Sequence, residues 1–162
     1  MQNFHNFTKI INFCFQQINK YPWLVRIGNK AGATYCGGTL VASKYVISAA
    51  HCFSQTSDDD GSITETPASD VRIWIGDHDL QTSGETSLTE KQIDVVSLTL
   101  HENHTASPGP WDLAVAELAE AVDLNTYTPA CLAKSADATT FDGEIATVVG
   151  WGVTSQNGDP PD

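Results

Sequence analysis

Apolar and polar positions along the chain follow the two-residue period of strands more often than the period of helices. Val71, Ile73 and Ile75 alternate with Arg72 and Trp74, which places one face of a strand inward. A short apolar run over 23–27 follows Tyr21-Pro22, and proline is tolerated at a strand start. Runs over 35–41 and 45–48 flank Ala42-Ser43-Lys44, the signature of a hairpin turn. Residues 93–100 and 113–118 form two further β-rich runs, although 111–122 also reads as an alanine-rich helix. Another strand is expected over 145–149, closed by Gly150-Trp151-Gly152. The intervening stretches read as loops, including 54–69 with its Asp58-Asp59-Asp60-Gly61. Short strands separated by turn-rich gaps predict an all-β barrel or sandwich, with no internal repeat and no low-complexity linker.

Composition narrows this picture. With 162 residues and 41% hydrophobic positions, the chain can bury a domain-sized core. No run approaches the roughly 20 apolar residues of a membrane helix. The 4 cysteines are too few for a scaffold held by disulfides alone. The net charge of −12 argues against a nucleic-acid partner. Every acidic residue lies at or after Asp58, so the charge is unevenly placed. An acidic surface can select cationic partners, but solubility is its plainer explanation. The opening MQNFHNFTKIINFCFQQ lacks the ordered parts of a signal peptide. Either export is not encoded in it, or the true beginning lies elsewhere. Two glycosylation sequons, Asn6-Phe7-Thr8 and Asn103-His104-Thr105, lend only weak support to secretion.

The densest chemical signal is Cys36-Gly37-Gly38-Thr39-Leu40 followed by Ser48-Ala49-Ala50-His51-Cys52. The two cysteines flank the expected hairpin, and His51 sits beside the second. A disulfide between them would fix the segment carrying His51, and closing such a loop stabilises by about 3 kcal/mol. An imidazole held rigidly at a loop suits a general base.

The run CGGTLVASKYVISAAHC resembles the histidine motif of the chymotrypsin/trypsin-like serine proteases. That resemblance implies His51 as catalytic base, a Cys36–Cys52 disulfide and a chymotrypsin-like antiparallel β-barrel. Trp111-Asp112-Leu113-Ala114-Val115 resembles the family's Asp-Ile-Ala-Leu segment, with Trp111 where asparagine usually stands. By that resemblance Asp112 orients His51 and stabilises its imidazolium. A carboxylate entering an apolar strand is costly without a partner, which marks Asp112 independently. Tyr21-Pro22-Trp23, Leu98-Thr99-Leu100-His101 and Val148-Val149-Gly150-Trp151-Gly152 resemble flanking structural motifs. His101 and His104 are expected at the surface or in packing. The implied organisation is a divergent segment over 1–17, a complete first barrel over 18–117, a linker over 118–135 and the start of a second barrel over 136–162.

Three features stay open. Lys9-Ile10-Ile11-Asn12 sits where the family is cleaved for activation, but Phe13 and Cys14 depart from its pattern, and residues 1–17 could be a foreign start. Cys131 resembles the family's interbarrel cysteine, so Cys14 and Cys131 either pair or remain free thiols. Asp77-His78-Asp79 matches a loop that binds calcium in some members. Asp77, Asp79 and Glu85 would supply only part of the six to eight oxygens that Ca²⁺ takes, and a solvated hairpin tip is the plainer reading. No other cofactor is implied.

The Gly-Asp-Ser-Gly-Gly context of the family's nucleophile does not occur in the sequence. The expectation is therefore a fragment of a secreted, extracellular serine endopeptidase, inactive alone because its catalytic serine is missing. The longer parent would take polypeptide substrates and protein protease inhibitors, with no nucleic-acid or membrane partner. The alternatives are a non-catalytic homologue acting as a binding or regulatory protein, and a small β-barrel interaction module. Two-barrel proteases need about 200–250 residues, so 162 correspond to one barrel and a piece of another. The strand over 143–151 should then expose its edges, and the tail after Ala133 should be loosely held.

Overall fold

The computed structural model describes residues 20–57, 59–78, 88–105, 109–134, 141 and 143–152. Its strands are β1 (Leu24–Asn29), β2 (Thr34–Ala42), β3 (Tyr45–Ser48), β4 (Ser54–Thr56), β5 (Ile63–Glu65), β6 (Val71–Ile75), β7 (Lys91–Leu100) and β8 (Ala114–Leu118). Six of them close an antiparallel barrel in the order β1-β2-β3-β8-β7-β6, while β4 and β5 form a separate hairpin. This is the all-β, chymotrypsin-like first barrel expected from the sequence. Closure leaves none of the six strands with an open edge.

The inward positions follow the alternation. Val25 and Ile27 of β1, Leu40 of β2, Val46 of β3, Val71, Ile73 and Ile75 of β6, Ile93 and Val95 of β7, and Ala114, Ala116 and Leu118 of β8 are buried together. Each large aliphatic side chain so buried contributes on the order of 1.5–3 kcal/mol of transfer free energy. Trp74 breaks the pattern. It faces away from Ile73 and Ile75 yet is only 4% exposed, because the Arg26 guanidinium lies 5.1 Å over its ring. Two-residue alternation cannot show that a cation from a neighbouring strand covers the outer face.

The stretch 111–122 forms the strand β8 at its centre rather than a helix. Val46 of β3 pairs with Ala116, and Leu98 of β7 pairs with the same residue from the other side. Pairing on both edges outweighs the helix propensity of Ala114 and Ala116. The stretch 54–69 is not all loop. Ser54 pairs with Glu65 and Thr56 with Ile63, and Ser57 N donates to Ser62 O across the tip. The polar composition of this hairpin gave no apolar alternation to read. Over 145–149 there is no strand: Ile145 is 91% exposed, and no sheet partner lies beside it among the described residues. β-branched residues favour a strand only against a partner edge.

After β8 the chain lies along the barrel. Ala119 N donates to Asp94 O, Val122 N to Ser43 O and Ala130 N to Leu40 O. Tyr127, 7% exposed, sends its hydroxyl to Thr89 O at 2.7 Å.

Candidate active site

The site is assembled where β3 ends and β8 is about to begin. Ser48 is nearly buried and its hydroxyl donates to Gly37 O at 2.8 Å, tying the end of β3 to β2. Gly38 on β2 allows this close packing. A Cβ there would stand 2.9 Å from Val46 Cγ1 and 3.1 Å from Ile47 O. Beyond Ser48 the chain makes one 3₁₀ turn, Ala50–Phe53. With three residues per turn, Ala50 and Phe53 share one side and are fully buried. His51 is thereby turned outward, with 46% of its side chain exposed. Cys52 is bonded to Cys36 of β2, with 6.1 Å between their Cα atoms, so the turn is fixed by a covalent link as well as by packing.

Asp112 reaches this turn from the segment that leads into β8, the strand paired directly with β3 through Ser48 and Ala114. Its Oδ1 accepts from the His51 main-chain amide at 2.9 Å, and its Oδ2 lies 2.7 Å from His51 Nδ1. An ionised carboxylate only accepts hydrogen bonds, so Nδ1 carries the hydrogen. In the neutral ring Nε2 then holds the free lone pair, at the exposed edge, 3.8 Å from Cys52 Sγ. Partial burial pushes the Asp112 carboxyl upward. The two hydrogen bonds from His51, with the positive fields of His51 and His104, outweigh that and hold it below the ordinary carboxylate value. The result is an anchored, ionised carboxylate presenting an imidazole with its basic nitrogen outward.

Three residues brace this arrangement, and the contact between Ser54 and His104 was not legible beforehand. The Ser54 hydroxyl donates to Ala50 O at 3.1 Å and lies 3.2 Å from His104 Nε2. Since that hydroxyl proton is already used, His104 Nε2 is the donor, and its Nδ1 is buried without a partner. His104 thus packs against the turn that carries His51. Trp111 is the one non-glycine residue at positive φ (64°) among the described residues. Its ring stacks on His101 with centroids 4.8 Å apart, and its carbonyl accepts from Leu113 N at 2.8 Å. Among residues with a side chain asparagine is one of those that adopt this conformation most readily, so the unusual tryptophan before Asp112 was the available signal.

The other candidates lie apart from this pair. Asp77 is nearly buried, and its Oδ2 is 2.8 Å from Arg26 Nε, a charge contact bent away from hydrogen-bond geometry. A guanidinium at that carboxylate disfavours a second cation there. Asp79 and Glu85 lie outside the described residues, as do Lys9, Ile10 and Cys14. Cys131 is exposed and unbonded. Cys36, His51 and Cys52 bring three ligand-type atoms together, but both sulfurs are committed to the disulfide.

Beside Asp112 opens a cleft of about 460 Å³, walled by Leu24, Gly38, Ile47 and Leu113 of the barrel and by Val149 and Trp151 of the later chain. Trp151 is held there by its indole N–H, which donates to His78 O at 2.8 Å. Leu113 remains 46% exposed along this wall.

The sequence is similar to those of known proteins. The family model for Trypsin matches residues 10–162. A venom serine protease from Polistes dominula is 27% identical over 94% of the chain, which covers 52% of that protein. Serine protease SSP1 from Scolopendra subspinipes is 34% identical over 86% of the chain and 46% of its own length. Mannan-binding lectin serine protease 1 from Mus musculus is 32% identical over 90% of the chain, but over only 20% of its own length. The chain therefore spans about half or less of these relatives. A closed six-stranded barrel, a disulfide-fixed histidine facing an aspartate, and a family match over nearly the whole sequence lead to one assignment: this chain belongs to the trypsin family of serine proteases.

Proposed function

We propose that the chain is the base-bearing part of a serine endopeptidase, with His51 as general base and Asp112 as the group that orients it. The observation that carries this reading is the double contact of Asp112 with His51, at 2.9 Å to the main chain and 2.7 Å to the ring. It leaves Nε2 free to take a proton from a serine hydroxyl as that hydroxyl attacks a peptide carbonyl. The imidazolium formed is then stabilised by the ionised carboxylate, and it returns the proton to the leaving amine.

The nucleophile is not among these 162 residues, since no Gly-Asp-Ser-Gly-Gly run occurs in them. The polypeptide by itself is therefore inactive toward peptides. The intact His51–Asp112 pair supports a catalytic protein over a non-catalytic homologue, because a binding protein has no need of an oriented base. Polypeptide substrates and protein inhibitors are the partners this chemistry implies. An extracellular setting is supported by the Cys36–Cys52 disulfide and by the relative described as a venom serine protease. The segment over 1–17, including Lys9, Ile10 and Cys14, is proposed to be divergent, with activation cleavage between Lys9 and Ile10 as one role for it. Calcium is given no part in the chemistry.

A serine-directed fluorophosphonate probe tests the reading. The 162-residue chain stays unlabelled. A longer product of the same transcript that carries Gly-Asp-Ser-Gly-Gly becomes labelled and loses labelling in His51→Ala. A longer product with that serine replaced, or one whose labelling survives His51→Ala, overturns the catalytic assignment.

A further inference from the structure

The turn that links β7 to the Asp112 segment carries a feature the proteolytic reading does not use. His104 N donates to His101 O at 2.9 Å, closing a tight turn with Glu102 and Asn103 at its centre. Asn103 N donates back to His101 Nδ1 at 3.1 Å, so the turn is held from within by main chain and ring. Asn103 and Thr105 are both exposed. The Asn103 side-chain amide makes no hydrogen bond among the described residues, which leaves it unencumbered. Asn103-His104-Thr105 is an acceptor triplet for N-linked sugar. Such sugar is bulky and hydrophilic, and is compatible with a fold only where the asparagine faces water. Asparagine at the centre of a tight turn meets that condition with its side chain directed away from the barrel.

We propose that Asn103 carries an N-linked oligosaccharide. The donor is an oligosaccharide on a polyprenyl diphosphate. Asn103 Nδ2 forms a bond to the anomeric carbon of the first N-acetylglucosamine, the bond from that carbon to the diphosphate oxygen breaks, and the lipid diphosphate departs. The amide gives up one proton, and nothing is oxidised or reduced. The attachment point lies between His101, which stacks on Trp111 next to Asp112, and His104, which packs against the turn carrying His51. The sugar is thereby placed on the rim of the active site. The inference rests on the extracellular setting proposed above, because only chains entering the secretory pathway meet this donor.

The full chain is expressed behind a secretion signal in insect cells, and total lysate is compared with medium so that poor release does not hide the result. The expected result is a gel shift removed by peptide N-glycosidase, which leaves an aspartate in place of Asn103 in the corresponding peptide by mass spectrometry. Asn103→Gln and Thr105→Ala abolish that shift, and Thr105→Ser keeps it. Asn6→Gln, at the other triplet, does not remove the modification from the Asn103 peptide. An unmodified Asn103 peptide in the wild-type chain, or a shift that depends on Asn6 alone, overturns the proposal. Neither outcome bears on fluorophosphonate labelling, so a failure here is distinct from a failure of the protease reading.

Discussion

The carboxylate of Asp112 holds His51 at two points, its main-chain amide at 2.9 Å and its ring Nδ1 at 2.7 Å. One contact fixes where the residue stands, and the other fixes which way the imidazole faces. Neither alone would do both, because a ring bonded only through Nδ1 could still swing about its Cα. The pair is assembled from elements 61 residues apart in sequence, brought together by closure of the barrel.

The ionised state of Asp112 gives stability a defined acid dependence. Its carboxyl value is lowered in the folded chain, despite the upward push of burial. A depressed folded value means the contribution is fully present above the unfolded value of about 3.9 and is lost as pH falls through the lower folded value. Asp112→Asn should lose on the order of 1–2 kcal/mol at neutral pH, because the ring contact is no longer charged. The difference from wild type should shrink as both are acidified toward and below the folded value. Urea unfolding of both proteins across that range measures this. Asp94, lowered by hydrogen bonding to Arg72 and then by Lys30, is unchanged in both and half-exposed, so it does not distort the comparison.

The disulfide should be a major support of the turn carrying His51. Replacing Cys36 and Cys52 together by alanine opens a loop with a sequence separation of 16. In the chain-entropy picture that removes about 3 kcal/mol. Denaturant unfolding under non-reducing conditions reads this loss. A change below about 0.5 kcal/mol would show that packing of Ala50 and Phe53 alone holds the turn.

Adjacent glycines should respond unequally. An alanine Cβ at position 38 meets Val46 Cγ1 at 2.9 Å and Ile27 Cδ1 at 3.0 Å, whereas at position 37 its nearest neighbour is Val25 O at 3.8 Å. Gly38→Ala should therefore destabilise by about 1–3 kcal/mol through overpacking. Gly37→Ala should stay within about 0.5 kcal/mol of wild type. Thermal melts of the two variants separate these outcomes.

Much of this architecture could be read directly from the residues, and what could not has physical causes. Val71, Ile73 and Ile75 mark an inward face because the side-chain period of a strand is visible in sequence. Cys36, His51 and Cys52 were legible chiefly through a resemblance of residue order, and Asp112 both through that resemblance and as a carboxylate entering an apolar strand. Burial of Trp74 beneath Arg26 was not legible, since it depends on β1 lying beside β6. The same holds for Ser54 and His104, which meet across 50 residues. The stretch over 145–149 shows the converse. Its β-branched pattern is real, but a strand needs a neighbouring edge, and Ile145 and Val148 are exposed.

That exposure predicts uneven hydrogen exchange. Amides of β7 and β8 are bonded into a closed barrel and should exchange only through its global opening. Those over 145–149 lack ladder bonds and should exchange at rates near those of an unstructured peptide. Exchange mass spectrometry of the native chain measures both. Protection over 145–149 equal to that of β7 would show a sheet partner there.

The most direct measurement of the central claim is the tautomer of His51, read by ¹H–¹⁵N correlation of the imidazole nitrogens at alkaline pH. An oriented base requires the hydrogen on Nδ1, bonded to Asp112 and shifted far downfield, with Nε2 unprotonated. The account predicts that pattern in the wild-type chain and its loss in Asp112→Ala. A hydrogen on Nε2 in the wild type, or a spectrum unchanged by Asp112→Ala, would contradict it.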